Sequence, residues 1–385
     1  MSFFEGGLSK LALSTLTKDY PAYVQFYVTA RCNLTCEQCN IIYANADQEE
    51  CTTEQAYKIA ENLAKIGTSV VLLTGGEPFV RKDIVKIAKA MMDNGIHPRL
   101  QTNGLASRKQ LEEMVAIGAH DISISLDSVL PDVQDQINGG FNNSWERAIN
   151  TISMVNEIFP INSFCVFGCV LAPRNIKHII SVIKFATAIG WWVSLVPAHQ
   201  TETTEPRSFS TFDNDLCFHP DQYEEIREVL EEVKVLRDEG YNLYDSDEYL
   251  DDIYRFVTKQ PIQWRRRNGG LCDSPNLYFA IQPNGDMSVC CDYRLPESYP
   301  VFSDDFPDKY RTEIVRNEVT AITSECSGCM YGSFPEISIS TRFFVPMLRR
   351  AKLFLFDGVD RQLKRLSKQE IIDIADSIAV DAGLK

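Results

Sequence analysis

The chain switches repeatedly between two hydrophobic patterns. Short apolar runs, several in strict alternation with polar residues, read as strands at Tyr23–Thr29, Val70–Thr74, Pro98–Asn103, Asp121–Asp127, Ser163–Leu171 and Trp192–Val196. Between them, apolar residues recur at helical spacing over Thr53–Ile66, Arg81–Asn94, Arg108–Ile117, Ser144–Ile158 and Ile176–Ile189. Gly67, Gly95, Gly118 and Gly190 stand where four of these helices should stop. Strand and helix in alternation predict an α/β fold, with a parallel sheet and right-handed crossovers over residues 23–200.

The two faces of these strands differ. In Asp121–Asp127, Ser123, Ser125 and Asp127 share one face, and Ile122, Ile124 and Leu126 the other. In the first strand Gln25, Tyr27 and Thr29 oppose Val24, Phe26 and Val28. The apolar face packs on helices, so the polar face is expected to point inward, toward a ligand-filled interior. The chemistry then belongs at the carboxyl ends of the strands. Those ends carry the run Arg31 to Asn40, Gly75-Gly76-Glu77, Thr102-Asn103-Gly104 and Ser125.

The run after the first strand holds Cys32, Cys36 and Cys39 within eight residues. Three thiolates at this spacing can hold one soft metal centre, one short of the number that fully ligates a 4Fe–4S cube. A zinc site closes at four ligands, and the nearest further cysteine, Cys51, does not stand at ribbon spacing. Thr74-Gly75-Gly76-Glu77-Pro78 follows the next strand. Together these two motifs resemble the radical S-adenosylmethionine (SAM) superfamily.

That resemblance, which covers residues 20–200, implies a partial (β/α)6 TIM barrel and a 4Fe–4S cluster on Cys32, Cys36 and Cys39. SAM would chelate the remaining iron and, after one-electron cleavage, yield a 5′-deoxyadenosyl radical that removes a hydrogen atom from substrate. Gly75, Gly76, Glu77 and Pro78 would lie against SAM, with Glu77 accepting from its ammonium group. Ser125 matches a strand position that often contacts SAM, and Thr102 and Asn103 would line the adjacent pocket. The residue before the last motif cysteine is usually aromatic in the family. Here it is Gln38, so another group, such as Tyr43, must cover the adenine.

A second constellation comprises Cys272, Cys290, Cys326 and Cys329. Leu277–Ile281 reads as a strand, Pro283-Asn284-Gly285-Asp286 as a turn and Met287–Val289 as the return strand, while Cys326 and Cys329 form a C-x2-C pair. A hairpin between two cysteines followed by a distant pair resembles the twitch domain, a short form of the SPASM domain. The resemblance implies a fully ligated auxiliary 4Fe–4S cluster. A four-cysteine zinc ribbon would use the same residues, and Cys291 competes with Cys290. Cys51, Cys165, Cys169 and Cys217 read as structural thiols.

Composition narrows the setting. The chain has 385 residues, twelve cysteines and a net charge of −15. The charge argues against nucleic acid as a partner. The cysteine spacing, with no apolar signal or spanning segment, is expected of a reducing, cytoplasmic compartment. The expected divisions are an N-terminal extension (1–22), the barrel (23–200), an acidic helical insertion (201–270), the cluster domain (271–335) and a C-terminal helical segment (336–385). Within the insertion, Thr201 to Asn214 reads as loop, and Trp264-Arg265-Arg266-Arg267 as a basic turn or a seat for a substrate anion. Phe343 to Phe356, apolar with basic residues at intervals, suits packing across an open barrel side, or docking to a partner or a membrane surface.

Full cysteine ligation leaves no iron open for substrate, which favours electron acceptance and a net oxidation. The leading expectation is radical modification of a ribosomal peptide or peptide-like product. It would need an electron donor such as flavodoxin or ferredoxin and, with so little chain ahead of Tyr23, a separate leader-recognition protein. The alternative is oxidative tailoring of a small molecule such as an aminoglycoside or sugar precursor. A non-catalytic iron–sulfur or zinc protein is a third class, which Gly75-Gly76-Glu77 argues against. No catalytic base is legible.

Overall fold

The computed structural model describes residues 20–36, 38–39, 49–199, 216–266, 269–355 and 362–385. Glu37, Tyr43, Thr201 to Asn214 and Arg267 lie outside them. Six strands, β1 (Tyr23–Thr29), β2 (Val70–Gly75), β3 (His97–Thr102), β4 (Ile122–Ser125), β5 (Cys165–Leu171) and β6 (Trp192–Pro197), lie in sequence order, each parallel to the next. The connecting helices are α1 (Thr53–Lys65), α2 (Ile84–Asp93), α3 (Arg108–Ala116), α4 (Pro131–Ile137), α5 (Ser144–Ile158) and α6 (Ile179–Ile189). Thr52 with Gln55, and Ser107 with Gln110, form reciprocal capping boxes that start α1 and α3. At seven residues, α4 is too short to announce itself by period.

Helix α2 begins three residues later than its periodicity predicts. Arg81 is diverted to the sheet, where its guanidinium donates to the carbonyls of Val28 and Cys51, both at 2.7 Å, and to the Asp83 carboxylate. A short 3-10 turn, Pro78–Val80, fills the gap.

The apolar strand face forms the core. Val24, Phe26, Val28, Val71, Leu73, Ile122, Ile124 and Phe167 are fully buried against helix residues such as Ile59, Leu63, Ile87, Ile152 and Phe185. On the opposite face Gln25, Ser123 and Ser125 are half-buried, and Tyr27 and Thr29 are buried. Two further helices, α7 (Tyr223–Asp238) and α8 (Asp247–Val257), follow β6, with Ile226, Leu230, Val233 and Leu236 of α7 buried. A single-turn helix, α9 (Gln263–Arg266), comes next.

The hairpin then joins the main sheet. Strand β7 (Tyr278–Ile281) pairs in parallel with β1, from Tyr23 opposite Tyr278 to Phe26 opposite Ile281, and β8 (Met287–Ser288) pairs antiparallel with β7. The open sheet therefore runs β6-β5-β4-β3-β2-β1-β7-β8, and the edge that β1 would expose is covered. Phe279 packs near Phe306 and Tyr310 of α10 (Phe306–Tyr310) on the helix side. Tyr278 stacks on Phe334 on the other side, with ring centroids 4.4 Å apart.

Helices α11 (Glu313–Glu325), α12 (Ser333–Arg342), α13 (Phe344–Leu355) and α14 (Lys368–Asp381) complete the described chain. Arg350 ties α13 down by donating to the buried Glu336 at 3.0 Å and lying 4.3 Å from the Tyr244 ring centre. Phe344, Val345 and Leu348 of the same helix are exposed. Among the described residues, no helix is long and apolar enough to cross a membrane.

Candidate functional site

The loop after β1 is held by the turn after β2. Gly76 N donates to Thr29 O at 2.9 Å and Glu77 N to Arg31 O at 2.8 Å. A Cβ on Gly75 would sit 2.4 Å from Thr29 O, and one on Gly76 2.2 Å from Arg31 O. The two glycines are required by this backbone-on-backbone approach, in which a side chain has no room. Gly139, after α4, presses on the same loop, since its Cβ would lie 2.5 Å from Thr35 O.

Cys32, Cys36 and Cys39 are half-buried and brought together by this packing. Burial pushes the Cys32 thiol up to about 11, with Glu77 and Cys39 adding to it. Cys36 is pushed up by burial first, then by the other two cysteines. Asn103 Nδ2 donates to Cys32 Sγ at 3.6 Å, and Leu34 N does so at 3.4 Å. The Cys36 thiol donates to Asn138 Oδ1 at 3.3 Å. Three neighbouring thiols with amides around them suit a cluster that takes three protein ligands, whose binding would displace their protons.

Glu77 is fully buried, and its carboxylate is engaged by its own chain. Oε1 accepts from Phe79 N at 3.0 Å and from Thr102 Oγ1 at 2.9 Å, and Oε2 accepts from Asn103 N at 2.7 Å. Burial outweighs these bonds and pushes the acid up to about 7. Sequence reasoning gives this carboxylate to SAM; the geometry makes it first a clamp that fixes the end of β3 against the turn after β2. Thr102, itself buried, also accepts from Gly104 N at 3.1 Å. Pro78 is buried at the start of its turn, and Ser125 is half-buried at the end of β4.

Sequence reasoning missed the partner of Gln38. Its Nε2 donates at 2.9 Å to Oδ2 of Asp127, whose Oδ1 accepts from Val170 N at 2.6 Å. Asp127 N in turn donates to Gln134 Oε1 at 2.7 Å. Burial pushes Asp127 up to about 6. Where the family pattern has an aromatic residue, this chain spans from the cysteine loop to β4 and β5 with a polar link. The available signal was Asp127 itself, a carboxylate in register with the inward face of its strand.

Cys272, Cys290, Cys326 and Cys329 converge on one small pocket. Trp264, Arg265, Tyr278, Tyr293, Thr323 and Phe334 also line it. Burial, reinforced by Cys290 and Cys326, pushes Cys272 up to about 12. Cys329 is driven up by burial and then by the same two neighbours. Cys291 is not on the pocket wall: it packs with Tyr27 and Ala280, although its thiol lies against that of Cys290. Among the described residues, no three His, Cys, Asp or Glu side chains are gathered as the ligands of a single metal ion. The four thiols line one pocket, a donor set that serves a fully ligated cluster or a single zinc ion. Cys165 and Cys169 are fully buried among apolar residues.

Residues 26–186 match the family model described as the radical SAM superfamily. The AdoMet-dependent heme synthase of Methanosarcina barkeri is 29% identical over 173 residues, covering 44% of this chain and 48% of that protein. The PqqA peptide cyclase of Bradyrhizobium diazoefficiens is 30% identical over 182 residues, covering 46% of this chain and 47% of that protein. The chain thus matches about half the length of these curated relatives. Among solved structures, Streptococcus suis SuiB bound to S-adenosylmethionine aligns with a TM-score of 0.60 at 16% identity, over 83% of this chain and 72% of that one. Native anSMEcpe with bound AdoMet aligns with a TM-score of 0.58 at 12% identity, over 94% of this chain and all of that one. At these identities the structures establish the fold, an open partial barrel.

Proposed function

Because residues 26–186 match the radical SAM family model, we propose that this chain is a radical SAM enzyme that oxidatively modifies a peptide or peptide-like substrate. Cys32, Cys36 and Cys39 would hold a 4Fe–4S cluster with SAM at its open iron, and Cys272, Cys290, Cys326 and Cys329 an auxiliary 4Fe–4S cluster. When bound, the first pair supplies one-electron cleavage of SAM and a radical able to take a hydrogen atom from a C–H bond. The observation that carries the reading is the grouping of three thiols beside the Gly75–Glu77 turn, at the carboxyl ends of β1 to β4.

The chain's own residues then hold the geometry. Glu77 ties Thr102 and Asn103 to the turn, and Asn103 carries that order to Cys32 and Asn33. Gln38 and Asp127 fix the far end of the cysteine loop. Gly75, Gly76, Pro78 and Ser125 complete the wall against which SAM would lie. The second cysteine set supports a net oxidation, in which the substrate gives up two electrons and two protons. An electron donor such as flavodoxin or ferredoxin belongs to the same reading.

A peptide substrate is supported by the PqqA peptide cyclase relative and by the likeness to SuiB, one structure of which is bound to its precursor peptide SuiA. A small-molecule reading draws support from the GTP 3′,8-cyclase of Alkaliphilus metalliredigens, 36% identical over 123 residues.

The test compares anaerobically reconstituted wild type with the Cys32→Ala/Cys36→Ala/Cys39→Ala protein, using iron and sulfide content, EPR or Mössbauer spectra and 5′-deoxyadenosine release. About eight irons falling to about four, with 5′-deoxyadenosine lost, is the expected result. About four irons falling to none, with zinc present, would turn the second set into a structural module and remove the case for oxidation. No 5′-deoxyadenosine from reduced wild type would sink the enzyme reading.

A further inference from the structure

Two buried N–H groups on α9 are not accounted for by cysteine ligation. Trp264 and Arg265 line the pocket of Cys272, Cys290, Cys326 and Cys329, and they are 1% and 7% exposed. The indole Nε1–H and the guanidinium Nε–H have no hydrogen-bond partner among the described residues. Buried donors in folded proteins are nearly always paired, so two orphans on one pocket wall ask for an acceptor inside it.

The rest of both side chains is fixed. Arg265 Nη1 donates to Cys326 O at 2.5 Å and Nη2 to Thr323 O at 2.9 Å, so that of its three nitrogens Nε is the one left over. Asp252 caps α9, accepting from Gln263 N at 2.7 Å and Trp264 N at 2.9 Å. Arg342 lies 5.3 Å from the Trp264 ring centre and donates to Trp264 O. Gly328, between Cys326 and Cys329, leaves room for the arginine stem, since a Cβ there would stand 3.0 Å from Arg265 Cδ and 2.7 Å from Ile262 Cδ1.

We infer that Trp264 and Arg265 donate hydrogen bonds to the sulfur atoms of the cluster held by Cys272, Cys290, Cys326 and Cys329, and so raise its reduction potential. The inference rests on the auxiliary-cluster reading above and says what tunes that cluster. Reduction adds negative charge, so donors to sulfur and an adjacent cation stabilise the reduced form more than the oxidised one. A centre tuned in this way is better suited to receive an electron. A substrate anion, the other use that the sequence offers this basic run, finds the Arg265 Nη groups already bound to main-chain carbonyls. Arg266, on the same turn, is exposed and is not part of the pocket wall.

The experiment uses the full chain carrying Cys32→Ala/Cys36→Ala/Cys39→Ala, so that only the second cysteine set can bind iron. This parent is compared with versions that add Trp264→Phe, Arg265→Gln or Arg266→Gln, by EPR-monitored redox titration and resonance Raman spectra of the Fe–S stretches. The expected result is a lower midpoint potential and shifted Fe–S bands in the first two versions, with Arg266→Gln matching the parent. Parent potential and parent bands in both Trp264→Phe and Arg265→Gln would overturn the inference while leaving the cluster reading intact. A parent without iron would overturn the cluster reading itself, and the inference with it. If Arg265→Gln takes up no cluster, Trp264→Phe decides, because it removes one N–H and keeps an aromatic ring at that position.

Discussion

Substituting Gly76 by alanine tests the claim that the cysteine loop is placed by backbone contact. The new Cβ would start 2.2 Å from Arg31 O, 2.5 Å from Arg31 C and 2.8 Å from Ala30 O, all backbone atoms that no rotamer change can remove. Restoring a tolerable contact of 3.0 Å requires the two segments to part by about 0.8 Å, the difference between 3.0 and 2.2. The bonds from Gly76 N to Thr29 O at 2.9 Å and from Glu77 N to Arg31 O at 2.8 Å would then stretch past hydrogen-bond range. Losing both, at about 0.5–1.5 kcal/mol each, and adding about 1–3 kcal/mol of overpacking gives a cost of roughly 2–6 kcal/mol. That is a large share of the ~5–15 kcal/mol that holds a typical protein folded. Gly95→Ala is the control, because Gly95 has a φ of +70° but nothing within 4 Å of its Cβ position. It should cost only the left-handed strain of about 1–2 kcal/mol. The assays are urea denaturation of the apoprotein and iron retained after reconstitution. Gly76→Ala should be the less stable protein and the poorer in iron at the first cysteine set. Equal urea midpoints and equal iron in the two variants would refute the argument.

Two further outcomes follow from the site geometry. Glu77 has a folded-state pKa of about 7, raised by burial above the ordinary glutamate value near 4.3. Its stabilising contribution is therefore complete below about pH 4, where the acid is protonated in both states, and is lost as pH rises through 7. The sum is roughly 3.5 kcal/mol. Stability of the apoprotein measured by urea between pH 5 and 8 should fall more steeply for wild type than for Glu77→Gln, and parallel slopes would count against the buried-acid assignment. Cys290→Ser should remove about four irons per chain and Cys291→Ser none, because only Cys290 lines the second pocket. The reverse pattern would transfer the ligand to Cys291.

Much of the barrel was legible because its signals are local. Period-2 and period-3.6 patterns place Tyr23–Thr29 and Ser144–Ile158 with the same bounds in sequence and structure. The cysteine runs announce themselves by spacing. What the sequence hid is pairing at long range. Nothing local says that the Tyr278–Ile281 strand will bond to β1, more than 250 residues earlier. The role of Glu77 as a clamp on Asn103, and the link from Gln38 to Asp127, each join residues that are distant along the chain and meet only when the strand ends come together. Arg81 shows a different limit: its periodicity fits a helix, but two buried main-chain carbonyls, on Val28 and Cys51, outcompete the helical position.

The parallel pairing of β7 with β1 also fixes where two cysteine sets so far apart in sequence stand relative to one another. β1 carries the first set on the loop after its carboxyl end, and its free edge is occupied by the strand between Cys272 and Cys290. Cys51 adds a second tie, since its N–H donates to Pro283 O at 2.8 Å while its own carbonyl accepts from Arg81. Asn62 of α1 adds a third by donating to the carbonyls of Val301 and Ser303, at 2.8 and 2.7 Å. A domain joined only by a linker would leave the separation of the two sites free to vary. Here the separation is set by strand register, and a one-residue slip would turn Phe279 and Ile281 from the helix side to the interior. The apolar cost of that slip is what holds the second pocket in place relative to the first.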